Sequence, residues 1–245
     1  MYGKIKRGTR GQITLFVILA LIVMIMVGLA IYYTTKAKES GFTKPNIDVD
    51  EKFAPIQNYV EQCMNQLLVD GVVKIGQHGG YVDPRDGYVT GRVINLNPIA
   101  PYDSEAMFLS TVDINSSVVY WVHGVKSADC DNCVLTSEAP TITEMENQLS
   151  RYLQKHLSIC INDYEVFNNQ GFLALDSKNY TVKTSISDSG VAAILETDVY
   201  VKINNDEGKL NIFYTETDLP LKKYYELALV ITASEIDTNF LENMG

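Results

Sequence analysis

Residues Ile13 to Tyr33 read ITLFVILALIVMIMVGLAIYY, 21 positions without a charge. As a helix they reach about 31 Å at ~1.5 Å per residue, close to the ~30 Å hydrocarbon core of a bilayer. Lipid offers the backbone no water to bond, so one isolated span is expected to be helical. Thr14 can bond a carbonyl within the helix, and Tyr32 and Tyr33 suit the interface, where an apolar ring meets a polar hydroxyl. A buried core helix is the competing reading, but core helices of this length keep a polar face.

Charge sets the direction. Lys4, Lys6, Arg7 and Arg10 precede the span and no acid does. Every aspartate and glutamate lies after residue 38, so the remainder is more acidic than the whole-chain net charge of −10 suggests. The positive-inside bias then predicts a cytoplasmic basic tail over 1–12, a transmembrane helix over 13–33, a tether over 34–47 and an extracytoplasmic domain over 48–245. A cleaved signal has an apolar core of about 7–15 residues and a small-residue cleavage site. This run is longer, and Ile31-Tyr32-Tyr33 is a poor cleavage context, so an uncleaved anchor is expected.

Arg10-Gly11-Gln12-Ile13-Thr14 resembles the archaeal prepilin leader, in which basic residues and a glycine precede a Gln-x-Ser/Thr start. The resemblance implies cleavage between Gly11 and Gln12 and packing of the helix into a filament. Phe16 stands where pilins carry a glutamate that pairs with the next subunit's amino terminus, which is a departure from that pattern.

Beyond the polar tether, Phe53, Ile56, Val60, Cys63 and Leu67 recur at helical spacing and predict a helix over about 50–70, capped by Asp48 or Asp50. Gly76, Gly79 and Gly80 mark a tight loop, Tyr81-Val82 the start of a strand, and Asp83-Pro84-Arg85-Asp86-Gly87 a turn. Short strands are expected over 88–96 and 106–122, with Trp121 in the core. Thr141-Ile142-Thr143-Glu144 has the spacing of a capping box and opens a second helix to about Asn162. Its stripe is Ile142, Met145, Leu149, Tyr152 or Leu153, His156 or Leu157, and Cys160. Alternation over 180–186, 199–203 and 210–214, with turns at 187–190 and 204–208, predicts a three-stranded antiparallel meander. Pro220 then introduces a helix over 221–242 with Tyr224, Ala228, Ile231 and Phe240 apolar. The sum is α+β, a mix of helices and antiparallel sheet behind the membrane helix.

Four cysteines, an even number, fit bridges in an oxidising exterior. Cys63 and Cys160 lie on the apolar stripes of two helices, so packing those helices predicts a 63–160 bridge and leaves Cys130 to Cys133. Three other readings stay open. The Cys130-Asp131-Asn132-Cys133 element could be a redox pair, although such a motif usually opens a helix after a strand. The four sulfurs could bind zinc, although one CxxC plus two distant cysteines is a weaker pattern than two knuckles. Cys63 and Cys160 could also be buried free thiols.

No catalytic residue is nominated. His78, His123 and His156 have no second histidine at metal-ligand spacing, and no serine sits on a nucleophile elbow. His78 before Gly79-Gly80 has only a superficial likeness to an oxyanion loop. Asp83/Asp86 and Asp129/Asp131 lack a regular calcium loop and read as solvated turns. Asn115-Ser116-Ser117 and Asn179-Tyr180-Thr181 are glycosylation sequons. The acid excess argues against nucleic acid, whose phosphates demand clustered positive charge.

Gly11-Gln12-Ile13-Thr14 with its anchor, Tyr59-Val60-Glu61-Gln62-Cys63, Gly76 to Tyr81, and Glu144 to Cys160 followed by Phe167 and Gly171-Phe172 resemble a group of single-pass, membrane-anchored surface proteins of small-genome archaea. The resemblance implies an architecture and no activity. The expectation is a cell-surface structural or interaction protein without a cofactor. Its expected partners are the lipid bilayer, with other surface proteins or self-association through the membrane helix as further candidates. A pilin-like subunit and an anchored thiol oxidoreductase or hydrolase are the alternatives.

Overall fold

The computed structural model describes residues 23–26, 43–86, 94–100, 104–109, 116–121 and 139–238, with side chains through Ser234. The chain divides into two compact units, Met1–Ser40 and Gly41–Gly245. In the first, residues 23–26 are helical and their four apolar side chains are exposed. Among the described residues no helix is long and apolar enough to cross a membrane. The rest of the expected span and its basic flank, Gly11 and Gln12 included, lies outside them.

The second unit mixes helices with antiparallel sheet, the α+β class. Helix α1 spans Ala54–Gln77. Its start differs from expectation: Phe53 is the N-cap, Pro55 occupies the first turn, and no side chain caps the helix. Asp50 instead builds the preceding turn, accepting from the Lys52 and Phe53 amides. The helix also runs through Gly71 and Gly76, seven residues past the expected end at 70. Burial explains this, since Leu68, Val72 and Ile75 continue the inward stripe, and tertiary packing outweighs the roughly 1 kcal/mol glycine penalty. At Gly71 a Cβ would stand 2.8 Å from Leu149 and 3.2 Å from Tyr152. The missing side chain lets the next helix approach.

Strands β1 (Ala106–Phe108) and β2 (Ser117–Val119) pair antiparallel as a small separate sheet. Tyr81-Val82 is buried without being a strand, and residues 94–97 are likewise not a strand. The Val82 amide donates to a side chain, Gln148, rather than to a ladder. Trp121 is half-buried rather than core; its Nε1 donates to Gly79 O at 2.7 Å and its ring meets Tyr225 edge-on.

Helix α2 spans Ile142–Ile161 and opens with the capping box: Thr141 accepts from the Glu144 amide, and Glu144 accepts from the Thr141 amide. Met145, Leu149, Leu153, Leu157 and Ile161 are fully buried, which settles the stripe in favour of Leu153 and Leu157 over their neighbours Tyr152 and His156. A turn of 3-10 helix (Asn162–Tyr164) and the short α3 (Glu165–Asn168) lead into the main sheet.

That sheet has four strands rather than three: β3 (Phe172–Asp176), β4 (Thr181–Ile186), β5 (Val191–Ile203) and β6 (Asp206–Thr217). β5 is the long central strand. β6 follows one of its edges from Val191 to Ile203, while β4 takes 191–196 and β3 takes 199–203 on the other. An irregularity between Glu196 and Val199 divides those two halves. β3 escapes a search for alternation because its outward positions, Leu173 and Leu175, are themselves apolar and exposed.

The two long helices cover this sheet and close its edges. Side chains of α1 satisfy the outer edge of β6: Gln57 donates to Ile212 O, Glu61 accepts from the Tyr214 amide, and Asn65 donates to Glu216 O. Side chains of α2 do the same for β4, with Ser150 accepting from the Thr184 amide and Glu146 from the Ile186 amide. Unpaired edge groups are thereby removed from competition with other strands. Helix α4 (Leu221–Thr238) follows Pro220. Its inward positions are Leu221, Tyr225, Ala228 and Leu229; Tyr224 and Ile231, expected to face in, are exposed.

Candidate functional site

Where α1 ends against α2, the chain leaves a cleft of about 400 Å³. Helical spacing supplies its walls. Lys74 and His78 stand one turn apart at the end of α1, and Gln148, Arg151, Tyr152, Lys155 and His156 share a flank of α2. The loop after α1 adds Val82, Asp83, Pro84, Arg85 and Asp86, and β2 adds Ser117.

The loop is held by glycine geometry and one buried amide. Gly80 has φ +98, and a Cβ there would lie 2.3 Å from Pro140 Cγ, so only glycine fits without displacement. Gln148 is 4% exposed. Its Oε1 accepts from the Val82 amide at 2.9 Å and its Nε2 donates to Gly80 O at 3.2 Å. Both ends of the amide are therefore used, as burial requires.

His78 is buried with Nδ1 2.8 Å from the Ser117 carbonyl oxygen. A carbonyl only accepts, so Nδ1 carries a proton. Among the described residues the ring makes no other hydrogen bond, while the main chain of His78 donates to Lys74 O and accepts from the Val119 amide. The Ser117 Oγ is fully buried and, among the described residues, has no hydrogen-bond partner. Arg85 clasps Asp83 with two parallel bonds, Nε to Oδ1 at 2.9 Å and Nη2 to Oδ2 at 3.0 Å. That grip holds the Asp83 carboxyl below the usual aspartate range against the opposing effect of burial, with a smaller contribution from His78. On the opposite wall the Tyr152 hydroxyl donates to Asp70, which also pairs with Lys74 at 3.3 Å. Burial and Asp70 both push the Tyr152 hydroxyl up, so it stays protonated. The His156 ring lies tilted against Tyr152, centroids 4.6 Å apart.

Ser117, His78 and Asp83 thus share one cleft, yet they do not form a relay. His78 binds the main chain of Ser117 rather than its hydroxyl, and Asp83 is engaged by Arg85. A nucleophile needs its base within hydrogen-bond reach. Among the described residues no group of three or more His, Cys, Asp or Glu side chains is placed to hold a metal ion.

Cys63 and Cys160 form a disulfide, with Cα atoms 5.8 Å apart. Antiparallel packing of α1 and α2 brings them together, and Tyr59 beside them donates to the Cys160 and Ile161 carbonyls. Along α1 the bridge lies roughly 16 Å from Lys74, so it braces the helix pair without lining the cleft. Asn179 is exposed in the turn between β3 and β4. Cys130, Cys133, His123 and Asn115 lie outside the described residues. The basic lining of the cleft was visible in sequence only as paired positions, Lys74/His78 and Arg151/Lys155, each four apart. The pairing of helix flanks that joins them was not. No family model, curated protein or solved structure matches the chain.

Proposed function

We propose that the chain is a single-pass, membrane-anchored surface protein whose C-terminal unit is an extracytoplasmic interaction domain. The observation that carries this reading is the uncharged run from Ile13 to Tyr33 behind four basic residues, which favours one crossing with the N-terminus in the cytoplasm. The Cys63–Cys160 bridge supports it, because disulfides persist in oxidising surroundings. The resemblance to anchored surface proteins of small-genome archaea points the same way. On this reading Cys130 and Cys133 form a second, local bridge, and Asn115 and Asn179 face an exterior where glycans can be added. Alkaline carbonate washing of membranes tests the anchor. The full chain is expected to stay with the membrane and leave only in detergent; release by carbonate contradicts it.

The Gly11-Gln12-Ile13-Thr14 start favours a second reading, a processed pilin-like subunit. Mass spectrometry of the mature N-terminus separates the two. A chain beginning at Gln12 supports processing, and one beginning at Met1 or Tyr2 rejects it.

A further inference from the structure

We propose that the outward face of α4 is a self-association surface, on which a second copy of this chain docks its own α4 in the antiparallel direction. Four large apolar side chains of this helix stand in solvent: Tyr224 (65% exposed), Leu227 (56%), Val230 (63%) and Ile231 (39%). The inward positions are apolar too, so α4 carries more apolar surface than its own unit covers. A helix that is apolar on both sides is normally buried on both. The other helices of the second unit differ. Among the described residues α1, α2 and α3 each expose one large hydrophobic side chain, Val73, Ile159 and Val166 respectively.

Spacing says what kind of partner the face fits. Tyr224, Leu227, Ile231 and Ser234 follow one another at steps of three, four and three residues, the seam by which one helix grips another in a coiled coil. The Ser234 hydroxyl donates to the Val230 carbonyl at 2.9 Å, so its polar group is served within the helix. At about 100° per residue the seam is centred roughly a third of a turn from the inward positions Leu221, Tyr225, Ala228 and Leu229. A helix seated on it stands beside the unit, where there is room.

Charge selects a second copy and its direction. Lys222 is held by Asp188 at 2.9 Å, whereas Lys223 is exposed on the flank of the seam. Asp237 follows two heptads after Lys223 and so falls at the same flanking position. Antiparallel packing lays equivalent flanks together. It sets Leu227 against Ile231 of the second copy, and position 223 against position 237. The two-fold axis repeats each contact, so one stripe is its own complement. Parallel packing instead sets position 223 against 228 and 230 against 235, with no opposite charges paired. A bilayer surface is the rival occupant of an apolar helix face. Helices that lie on membranes carry an excess of lysine and arginine on the polar side; here Glu226 and Asp237 match Lys222 and Lys223. About 27 Å of paired helix is a small interface, so a micromolar dimer is expected. The inference rests on α4 and holds whether or not the N-terminal run anchors the chain.

The test is sedimentation velocity on the full chain in neutral, density-matched detergent micelles, from about 1 to 100 µM. A monomer–dimer equilibrium is expected, and L227E/I231E is expected to stay monomeric throughout that range. Both side chains are exposed, so the fold of the variant is expected to hold; circular dichroism and the intact Cys63–Cys160 bridge check it. Lys223→Glu, a milder surface change, sets like charges against each other. It is expected to weaken the dimer about tenfold, and K223E/D237K to restore it. That rescue separates a direct contact from a loss of fold, and association through α4 from association through the apolar N-terminal run. A chain that stays monomeric up to about 100 µM overturns the proposal and leaves the face to lipid or to an unlike protein. A dimer that L227E/I231E leaves intact places the contact elsewhere and overturns it too. So does a dimer that K223E does not weaken, or that K223E/D237K does not restore.

Discussion

Asp83 ties the loop of the cleft to its own neighbour, and its charge state depends on Arg85. Its folded pKa is depressed, so its stabilising contribution is present above the unfolded value, about 4, and is lost as pH falls through the lower folded value. The pair is solvent-accessible, so the effect on stability is small. The titration itself is the better readout. Carboxyl carbon NMR should place Asp83 below the usual aspartate range and return it upward in R85Q; an unchanged Asp83 titration in that variant would assign the depression to another group. At Gly80 the backbone requirement is steric. Gly80→Ala sets a Cβ against Pro140 at a positive φ and should cost about 1–3 kcal/mol, seen as a lower urea midpoint with the slope unchanged.

The helices show what local sequence can and cannot carry. The box of Thr141 and Glu144 is a short-range signal, and α2 starts where that signal lies. Thr141→Ala should cost about 1 kcal/mol in equilibrium unfolding; no loss would mean that packing alone sets the start of the helix. The packing of α1 on α2 was legible from Cys63 and Cys160 on two apolar stripes. The end of α1 was not, because Gly71 looks like a breaker until Leu149 and Tyr152 are seen filling its space. β3 was missed because Leu173 and Leu175 face out and hide the alternation. The inward face of α4 slipped by one residue, from Tyr224 to Tyr225, since two adjacent tyrosines offer no local ground for choosing. The cleft was the least legible feature. Its cations come from the end of one helix, the flank of another and the loop between them and β1, and only the tertiary pairing gathers them.

Across the whole molecule, the disulfide links residues separated by 97 positions, from the first helix of the folded unit to the end of the second. In the chain-entropy model such a closure contributes about 4–5 kcal/mol. Replacing both Cys63 and Cys160 by alanine should lower unfolding free energy by that order in calorimetry or denaturant titration; a loss under about 1 kcal/mol would show that the unfolded chain is little constrained by the bridge. On the proposed reading the bridge also connects the fold to an oxidising compartment, and so to the proposed anchor. Protease shaving of intact cells carrying the full chain tests that connection most directly. If the anchor points the unit outward, added protease removes residues beyond about 40 while cytoplasmic markers remain whole. If the unit is cut only after the cells are broken, the orientation, and with it the surface role, is contradicted.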